Sequence, residues 1–473
     1  MREPLGYAQI APPGFIFVEK LLYETFGRND AGLRLYSLAC GIGALGVAAV
    51  ISARLQLREG AWLAPLILAL GPALIFQSAQ LKPYSGDVLF VLGIVAVGLR
   101  LGSDPAARRG WPIALGMIAP WFSFPAALTL AAVGAVLLAS ARRRSLYVVV
   151  ALWGVATLAA VLYANSLVHP QTADAMQVHW SGGGLGFPPS IAGLVPWTVN
   201  QFGALLWSEV GFRGVKFWLG VAFLGGVLLW RRDRVVSGIM LAPILVGLLA
   251  AVLRRYPLGD RTSHWVAALL VIAIAVAVTA AIRLLLKMRL PWLAPVPAVL
   301  TVAPVALGIA QFRPPYRVDH VKPVFAGVTA AAQPNDRMYV FPGAWHAYRY
   351  YQPLLGVSRD HVLLGRCPRR SLREPLRELD SLRGNERVWV LFAHVVTPQG
   401  RELLLRYLDT IGVRRQTVNY PTPYVALSSS VDAHLYDLSD STRLRNSSAE
   451  TYPVPPDLPN ALSQCMLGMV PME

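Results

Sequence analysis

The sequence predicts an all-α polytopic membrane bundle of about ten transmembrane helices, followed by a small C-terminal extracytoplasmic α/β domain. The 473-residue chain is 55% hydrophobic and 15% charged, with a mean hydropathy of +0.48. A soluble domain is about one quarter charged. Apolar runs of about 20 residues recur through the first two thirds of the chain, and each is long enough to cross a hydrocarbon core of about 30 Å. Beyond residue 311 the sequence becomes polar and charged, which indicates a separate domain.

Charge and cysteine content exclude several other classes of protein. The net charge is +17, but the basic residues lie in short clusters between apolar runs. This distribution is typical of the positive-inside rule and argues against nucleic-acid binding. Three cysteines are too few for a disulfide scaffold, and the high hydrophobic content excludes a disordered chain.

Residues 1–32 are predicted to form an outer loop that contains an interfacial helix. In residues 13–26 (PGFIFVEKLLYETF) apolar side chains recur at helical spacing, with Glu19, Lys20 and Glu24 between them. The chain opens directly in this loop, without a signal peptide or a preceding transmembrane helix. The following helix can translocate a short N-terminus. The interpretation that we favour is that an upstream helix and part of a loop precede Met1 in the complete protein.

Residues 33–311 are predicted to be the transmembrane domain. The apolar runs are 33–53, 61–79, 85–101, 111–122, 124–140, 146–164, 213–230, 235–253, 264–282 and 291–311. The stretch 111–140 would make one helix about 45 Å long, which is too long for a single crossing. Arginines flank both of its ends, and Pro120, Ser123 and Pro125 interrupt it. We therefore expect a short hairpin of two helices there.

Basic clusters set the predicted orientation of the bundle. They fall in every second loop, at Arg54 and Arg58; Arg100, Arg108 and Arg109; Arg142 to Arg144; Arg231, Arg232 and Arg234; and Arg283, Lys287 and Arg289. Because basic loops stay in the cytoplasm, this alternation places residues 1–32 and 312–473 on the outer side of the membrane.

Two further regions are predicted on the outer side. The loop 166–212 holds a glycine-rich segment, 181–187, which is not a phosphate loop because no Gly-Lys-Ser/Thr follows it. Residues 312–439 are predicted to be the α/β domain, with strands at 337–341, 387–392 and 424–428 and helices near 322–332, 343–352 and 400–412. Residues 440–473 are predicted to be a poorly ordered tail. Cys367 and Cys465 could pair outside the cytoplasm, but their spacing does not decide whether they do.

Two polar motifs at predicted outer helix ends are the candidate functional site, because burying such groups near a membrane is costly. Residues 80–87 (QLKPYSGD) contribute Lys82, Tyr84 and Asp87. Residues 254–261 (RRYPLGDR) contribute Tyr256 and Arg261, together with arginines that oppose the positive-inside trend. An outer-face arginine needs an anionic partner, and a phosphate suits the guanidinium group.

Simpler interpretations of the same residues remain open. Lys82 and Asp87 could pair with each other, and the arginines could pair with Asp260 or with anionic lipid. The tyrosines Tyr84 and Tyr256 could be aromatic anchors at the membrane interface. His169 and His179, in the outer loop, are more typical of loop residues than of catalysts.

Three sets of residues, taken in order, resemble the GT-C superfamily of membrane glycosyltransferases, which includes the protein O-mannosyltransferases and the aminoarabinose transferases. The first set is Ala11-Pro-Pro-Gly-Phe15 with Phe26-Gly27 and Leu33-Arg34-Leu35; the others are 80–87 and 256–261. The resemblance covers about residues 5–310 in hydropathy and order. It implies that a sugar passes from a polyprenyl-phosphate donor to an acceptor on the outer face of a bacterial inner membrane. No nucleotide site would be needed.

The resemblance also implies roles for the candidate residues. Asp87 would be catalytic and would orient the acceptor or a divalent cation. A divalent cation is the only cofactor that the resemblance leaves open, and no metal ligands are assigned. Lys82 and Arg261 would hold the donor phosphate, with Tyr84 and Tyr256 beside it. The partners would be the lipid-linked sugar and membrane lipid, with no nucleic acid.

Two departures from the family pattern are visible. Family members carry an acidic residue in the first outer loop, upstream of the segment that matches Pro4 to Phe15, and only Glu3 stands there. If the chain is a truncated member, we therefore expect it to transfer no sugar on its own, unless Asp87 substitutes. Gln80 stands where relatives commonly carry Glu. Two other classes of function remain as alternatives: a transporter or flippase for a lipid-linked solute, and a non-catalytic membrane assembly protein.

We predict that the C-terminal end of the chain faces the outer compartment. The physical reason is the alternation of basic clusters, because a basic loop resists translocation. A reporter that is active only in the outer compartment, fused after Glu473, should be active. A cytoplasm-specific reporter that is active at the same position would contradict this topology.

Overall fold

A computed structural model describes residues 10–104, 108–140, 143–168, 170–311, 320–354, 359–366, 373–395, 398–420, 431–440, 442–443 and 447–454. The described residues form two compact units. The first, helical unit comprises those of 10–168 and 177–313, and the second, mixed unit comprises those of 170–176 and 314–473. His169, Cys367, Cys465 and the predicted strand 424–428 lie outside the described residues.

Helices account for the described chain up to residue 311. They are α1 (Pro13–Phe26), α2 (Leu35–Arg54), α3 (Leu63–Leu70), α4 (Pro72–Ser78), α5 (Tyr84–Ser103), α6 (Gly110–Phe122), α7 (Phe124–Ser140), α8 (Arg144–Ser166), α9 (Pro170–Ser181), α10 (Leu194–Leu205), α11 (Val215–Arg232), α12 (Arg234–Val252), α13 (His264–Lys287) and α14 (Val296–Gln311). A π-helical segment, Leu206–Val210, continues α10.

Every predicted apolar run between residues 33 and 311 is helical. The run 61–79 is two helices, α3 and α4, bent by 64°. The run 111–140 breaks at Ser123, whose extended backbone separates α6 from α7, while Pro120 stays inside α6. The predicted loop 166–212 also contains two helices, α9 and α10. Helix α9 ends where the glycine-rich segment begins, and α10 follows that segment.

The length and composition of these helices fit a membrane protein. Within the described part of the chain, six helices are long and apolar enough to cross a membrane, or eight if each of two bent pairs is one span. The two bent pairs are α3 with α4, and α10 with α11. Because α6 and α7 are short, at 13 and 17 residues, the total of about ten crossings stays a prediction.

Helix α13 is the centre of the first unit. Its span is 89% buried inside the protein, whereas the span that contains α14 is 22% buried. Small residues allow the neighbouring helix to approach closely: a Cβ atom on Gly225 of α11 would overlap the carbonyl oxygen of Ala273. Packing of this kind stabilises helix pairs where lipid is as apolar as the side chains.

Polar groups in the first unit gather at the two ends of its central helices. At one end Ser37 of α2 donates to the carbonyl of Lys82 at 2.8 Å, and the ring of Tyr84 at the start of α5 meets the ring of His264 at the start of α13. We call this end, where α2, α5 and α13 begin, the site end. At the opposite end Arg232 donates to the carbonyl of Leu55, and Arg283 pairs with Glu59 at 2.7 Å.

The second unit is built on a five-stranded mixed sheet. The strands are β1 (Arg337–Val340), β2 (Val362–Leu364), β3 (Val388–Phe392), β4 (Val413–Tyr420) and β5 (Val431–Asp437), in the order β2-β1-β3-β5-β4. Strand β1 pairs in parallel with β2 and β3, while β5 is antiparallel to β3 and β4. The sequence predicted β1 and β3 but not β2, β4 or β5.

Helices cover both faces of this sheet. They are α15 (Val321–Ala331), α16 (Trp345–Tyr351), α17 (Arg373–Asp380) and α18 (Pro398–Ile411). On one face α15 packs against Met338 and Trp389, and on the other α17 and α18 pack against Tyr339 and Val390. The small α/β character that the composition predicted is therefore confirmed. Residues 447–454, in the predicted tail, pack on the second face through the buried Ala449.

Gly225→Ala is expected to destabilise the first unit. The added methyl group would meet backbone rather than a movable side chain, and overpacking of this kind costs about 1–3 kcal/mol. Thermal unfolding in detergent measures the effect as a lower midpoint temperature. Gly220→Ala, on the same helix but with open space around the added Cβ atom, is the matched control and should be neutral or slightly stabilising. Equal midpoints for the two variants would contradict the close packing of α11 on α13.

Candidate functional site

The two sequence motifs meet at the site end. Lys82 and Arg261 interact electrostatically, and Arg261 interacts with Tyr84 through charge and a side-chain hydrogen bond. Burial, and then the positive charge of Arg261, lower the pKa of Lys82. Neither cation forms an ion pair with a carboxylate within the described residues. Two cations from segments far apart in the sequence, one just before α5 and one just before α13, therefore lie near each other.

Arg261 is held by a tightly folded loop. The hydroxyl of Tyr256 donates to the carbonyl of Thr262 at 2.7 Å, and the indole of Trp265 donates to the same oxygen at 3.1 Å. The hydroxyl of Thr262 reaches the carbonyls of Pro257 and Gly259. Burial raises the pKa of Tyr256 well above its usual value, so its phenol stays protonated. Tyr256 thus fixes the loop that carries Arg261.

The glycine-rich segment 181–187 packs against the loop that carries Arg261. The amide of Leu258 donates to the carbonyl of Gly186 at 2.8 Å, and Gly259 lies so close to Leu185 that a Cβ atom would overlap its carbonyl oxygen. Trp197 of α10 donates to the carbonyl of Gly184 at 2.7 Å and anchors this segment. Glycine is required here because two backbones touch.

Asp87 lies deeper than the basic pair, in the first turn of α5. Its side chain is 6% exposed and is hydrogen-bonded by Ser123 at the break between α6 and α7. One of its oxygens has no partner in the described part of the chain. Asp87 acts electrostatically on Tyr84 and Tyr256, and also on Tyr36 of α2. All five residues predicted from the sequence therefore lie in one region, and Lys82 pairs with no carboxylate there.

The sequence reasoning missed a buried acid–histidine pair in this region. Nδ1 of His264 lies 2.5 Å from a carboxylate oxygen of Glu209, and both side chains are 2% exposed. The ring of His264 meets that of Tyr84 edge-on, at 5.9 Å between centroids. Glu209 sits in the π-helical segment, and such segments recur at functional sites. A lone acid in the apolar stretch LLWSEVGF was the signal that could have identified it.

A second missed residue is Glu19 of α1. Both of its carboxylate oxygens are buried and have no partner in the described residues. Burial raises the pKa of Glu19 to about 7. The sequence pattern assigned it to the polar face of an interfacial helix, and only the packing of α1 shows that the carboxylate is enclosed.

The remaining candidates lie at the edge of the region. The ring of His179 meets that of Trp180 edge-on, at 4.9 Å between centroids. Burial, and then the positive charge of Arg261, lower the pKa of His179. Arg254 reaches Ser181 at 3.4 Å, and its carbonyl accepts from Gln177 at 2.9 Å, which ties α9 to the loop. The described residues contain no group of three or more His, Cys, Asp or Glu side chains placed to hold a metal ion.

Solved structures show what this fold is similar to. ArnT from Cupriavidus metallidurans in the apo state matches with a TM-score of 0.53 and 15% identity, over 91% of this chain and 88% of that chain. The same protein bound to undecaprenyl phosphate matches with a TM-score of 0.52 and 14% identity, over the same shares. The chain therefore has a GT-C fold, as the motifs predicted. No protein-family model and no curated protein matches the sequence.

Gly259→Ala should loosen the loop that carries Arg261. The added methyl group would push against the backbone of Leu185, and a cost of about 1–2 kcal/mol raises local opening by a factor of about 5–30. Limited trypsin digestion of the folded protein measures this opening as faster cleavage after Arg255 and Arg261. Gly182→Ala, where a Cβ atom has open space, is the control and should be cleaved at the wild-type rate. Unchanged cleavage of Gly259→Ala would show that the contact between Gly259 and Leu185 does not hold the loop that carries Arg261.

Proposed function

We propose that this protein is a membrane glycosyltransferase that moves a sugar from a polyprenyl-phosphate donor to an acceptor on the outer face of a bacterial inner membrane. The GT-C fold supports the proposal, as does the undecaprenyl phosphate bound to ArnT in the similar structure. The observation in this chain that carries it is the pairing of Lys82 with Arg261 at the site end, without a carboxylate partner in the described residues.

The basic pair suits a lipid phosphate for three reasons. The cations approach each other despite their repulsion, and a phosphate between them would turn that repulsion into attraction. Arg261 is exposed whereas Lys82 is half-buried, so a headgroup could enter from the membrane surface and meet Arg261 first. A guanidinium binds two phosphate oxygens at once, and an ammonium acts as a point charge beside it.

The proposed chemistry needs charge stabilisation at the leaving group. As the bond between the sugar's anomeric carbon and the phosphate oxygen breaks, its electron pair moves onto the polyprenyl phosphate. Lys82 and Arg261 would stabilise this growing negative charge. The hydrogen bond that Arg261 donates to the Tyr84 hydroxyl would orient the guanidinium, and Tyr256 would act through the loop that it fixes. Asp87 would orient the acceptor or a divalent cation on the other side of the sugar.

Charge-removing variants test the phosphate site. Lys82→Gln and Arg261→Gln should each weaken binding of undecaprenyl phosphate, because loss of a charged hydrogen-bond partner costs about 1.5–3 kcal/mol, or roughly 10–150-fold in Kd. Binding can be measured on the purified full chain in detergent. In the double variant, the loss of binding free energy should differ from the sum of the losses in the two single variants, because both groups would share one phosphate.

Arg255→Gln is the matched control, since Arg255 is an exposed arginine of the same motif. Its Kd for undecaprenyl phosphate should stay within about threefold of the wild-type value. An equal loss in all three single variants would indicate non-specific attraction to the lipid. Wild-type affinity in both Lys82→Gln and Arg261→Gln would refute the proposed donor site.

A further inference from the structure

Helix α1 is fixed against the bundle at the site end. Pro13 and Phe15 are buried, and the ring of Phe15 meets that of Tyr36 edge-on at 5.3 Å. Gly14 packs so closely on the end of α6 that a Cβ atom would lie 2.8 Å from the carbonyl oxygen of Trp121. Glu19 follows Phe15 by four residues and so lies one turn further along the same face.

The carboxylate of Glu19 is enclosed without a partner. Both of its oxygens are buried and accept no hydrogen bond from the described residues. Glu24, on the same helix, behaves as a surface acid should: it pairs with Lys20 at 3.7 Å and its side chain is 59% exposed. A buried acceptor without a donor costs about 1–3 kcal/mol.

Two more buried polar groups lie in this region. The hydroxyl of Tyr36 interacts with the thiol of Cys40 and has no oxygen or nitrogen partner within the described residues. One oxygen of Asp87 has no partner there. Glu19 and Asp87 both act electrostatically on Tyr36. Gly86 permits the approach, because a Cβ atom there would lie 2.5 Å from the Tyr36 hydroxyl. Both carboxylates therefore lie within electrostatic range of the Tyr36 hydroxyl.

This acidic cluster adjoins the basic pair. Asp87 acts electrostatically on Tyr84 as well as on Tyr36, and Tyr84 is hydrogen-bonded to Arg261. The carboxylate of Asp87 therefore lies in the same region as the cations of Lys82 and Arg261.

We propose that Glu19 is a catalytic residue: its carboxylate accepts the proton of an acceptor hydroxyl, which Asp87 and Tyr36 hold in place. This assignment rests on the proposed function and names the acceptor as a hydroxyl compound. A base works best when its pKa lies near the operating pH, and burial raises the pKa of Glu19 to about 7.

The step balances as a displacement. The acceptor oxygen forms a bond to the anomeric carbon of the sugar and gives its proton to Glu19. The bond from that carbon to the phosphate oxygen breaks, and its electron pair leaves with the polyprenyl phosphate. Glu19 then loses the proton to water as the product departs.

The test uses the full chain in detergent, with undecaprenyl-phosphate-linked hexoses and pentoses as donors and with water and benzyl alcohol as acceptors. Release of undecaprenyl phosphate and formation of benzyl glycoside are measured. Glu19→Gln should slow transfer by about 10²–10⁴-fold while Kd for undecaprenyl phosphate stays within about threefold. Glu24→Gln, the matched control, should change neither. Added formate should restore part of the activity of Glu19→Ala, which a purely structural role would not allow.

The outcomes separate the two proposals. Failure of the wild-type protein to bind undecaprenyl phosphate overturns the proposed function and this assignment with it. Normal binding with unchanged transfer in Glu19→Gln overturns the assignment of Glu19 alone. Normal binding without transfer of any of these sugars to water or benzyl alcohol by the wild-type protein also overturns it, because an active base should use a hydroxyl acceptor.

Discussion

The burial of α13 is the constraint on which the first unit depends. A helix enclosed along almost its whole length can carry apolar and small residues only, because an ionisable group in its middle would lose its hydration without compensation. Its ionisable groups therefore lie at its two ends, with His264 at one and Arg283 at the other. At about 1.5 Å per residue its 24 residues separate these ends by roughly 35 Å. The burial of α13 therefore confines its ionisable groups to the two ends of the helix.

At the site end, several helices each supply one or two polar groups. Lys82 and Asp87 come from the start of α5, Arg261 from the loop before α13, and Glu19 from α1. None of these elements could form the site alone, since each supplies only one or two of its polar groups. The Glu209–His264 pair links the π-helical segment to α13, and the His264 ring also contacts Tyr84. Removing one partner from such a buried pair would leave an uncompensated polar group and destabilise this packing.

The sequence predicted the helices better than the site. Apolar runs and basic clusters depend on local composition, and each run proved helical. Lys82 and Arg261 were recognisable because basic residues at predicted outer helix ends oppose the positive-inside trend. Glu19 was not, because its spacing fits a solvated face and its enclosure depends on contacts with α2 and α6 far along the chain. Strand β4 was missed for a related reason: it carries Arg414 and Arg415 on an exposed edge, so its composition resembles that of a loop.

The central claim is that the basic pair at the site end binds a lipid phosphate. Its most direct test is an electron cryomicroscopy structure of the full chain in a lipid nanodisc with undecaprenyl phosphate. The account predicts phosphate density within hydrogen-bond distance of both the Lys82 ammonium and the Arg261 guanidinium, with the polyprenyl chain leading into the membrane. Phosphate density elsewhere on the bundle, with the basic pair empty, would contradict it.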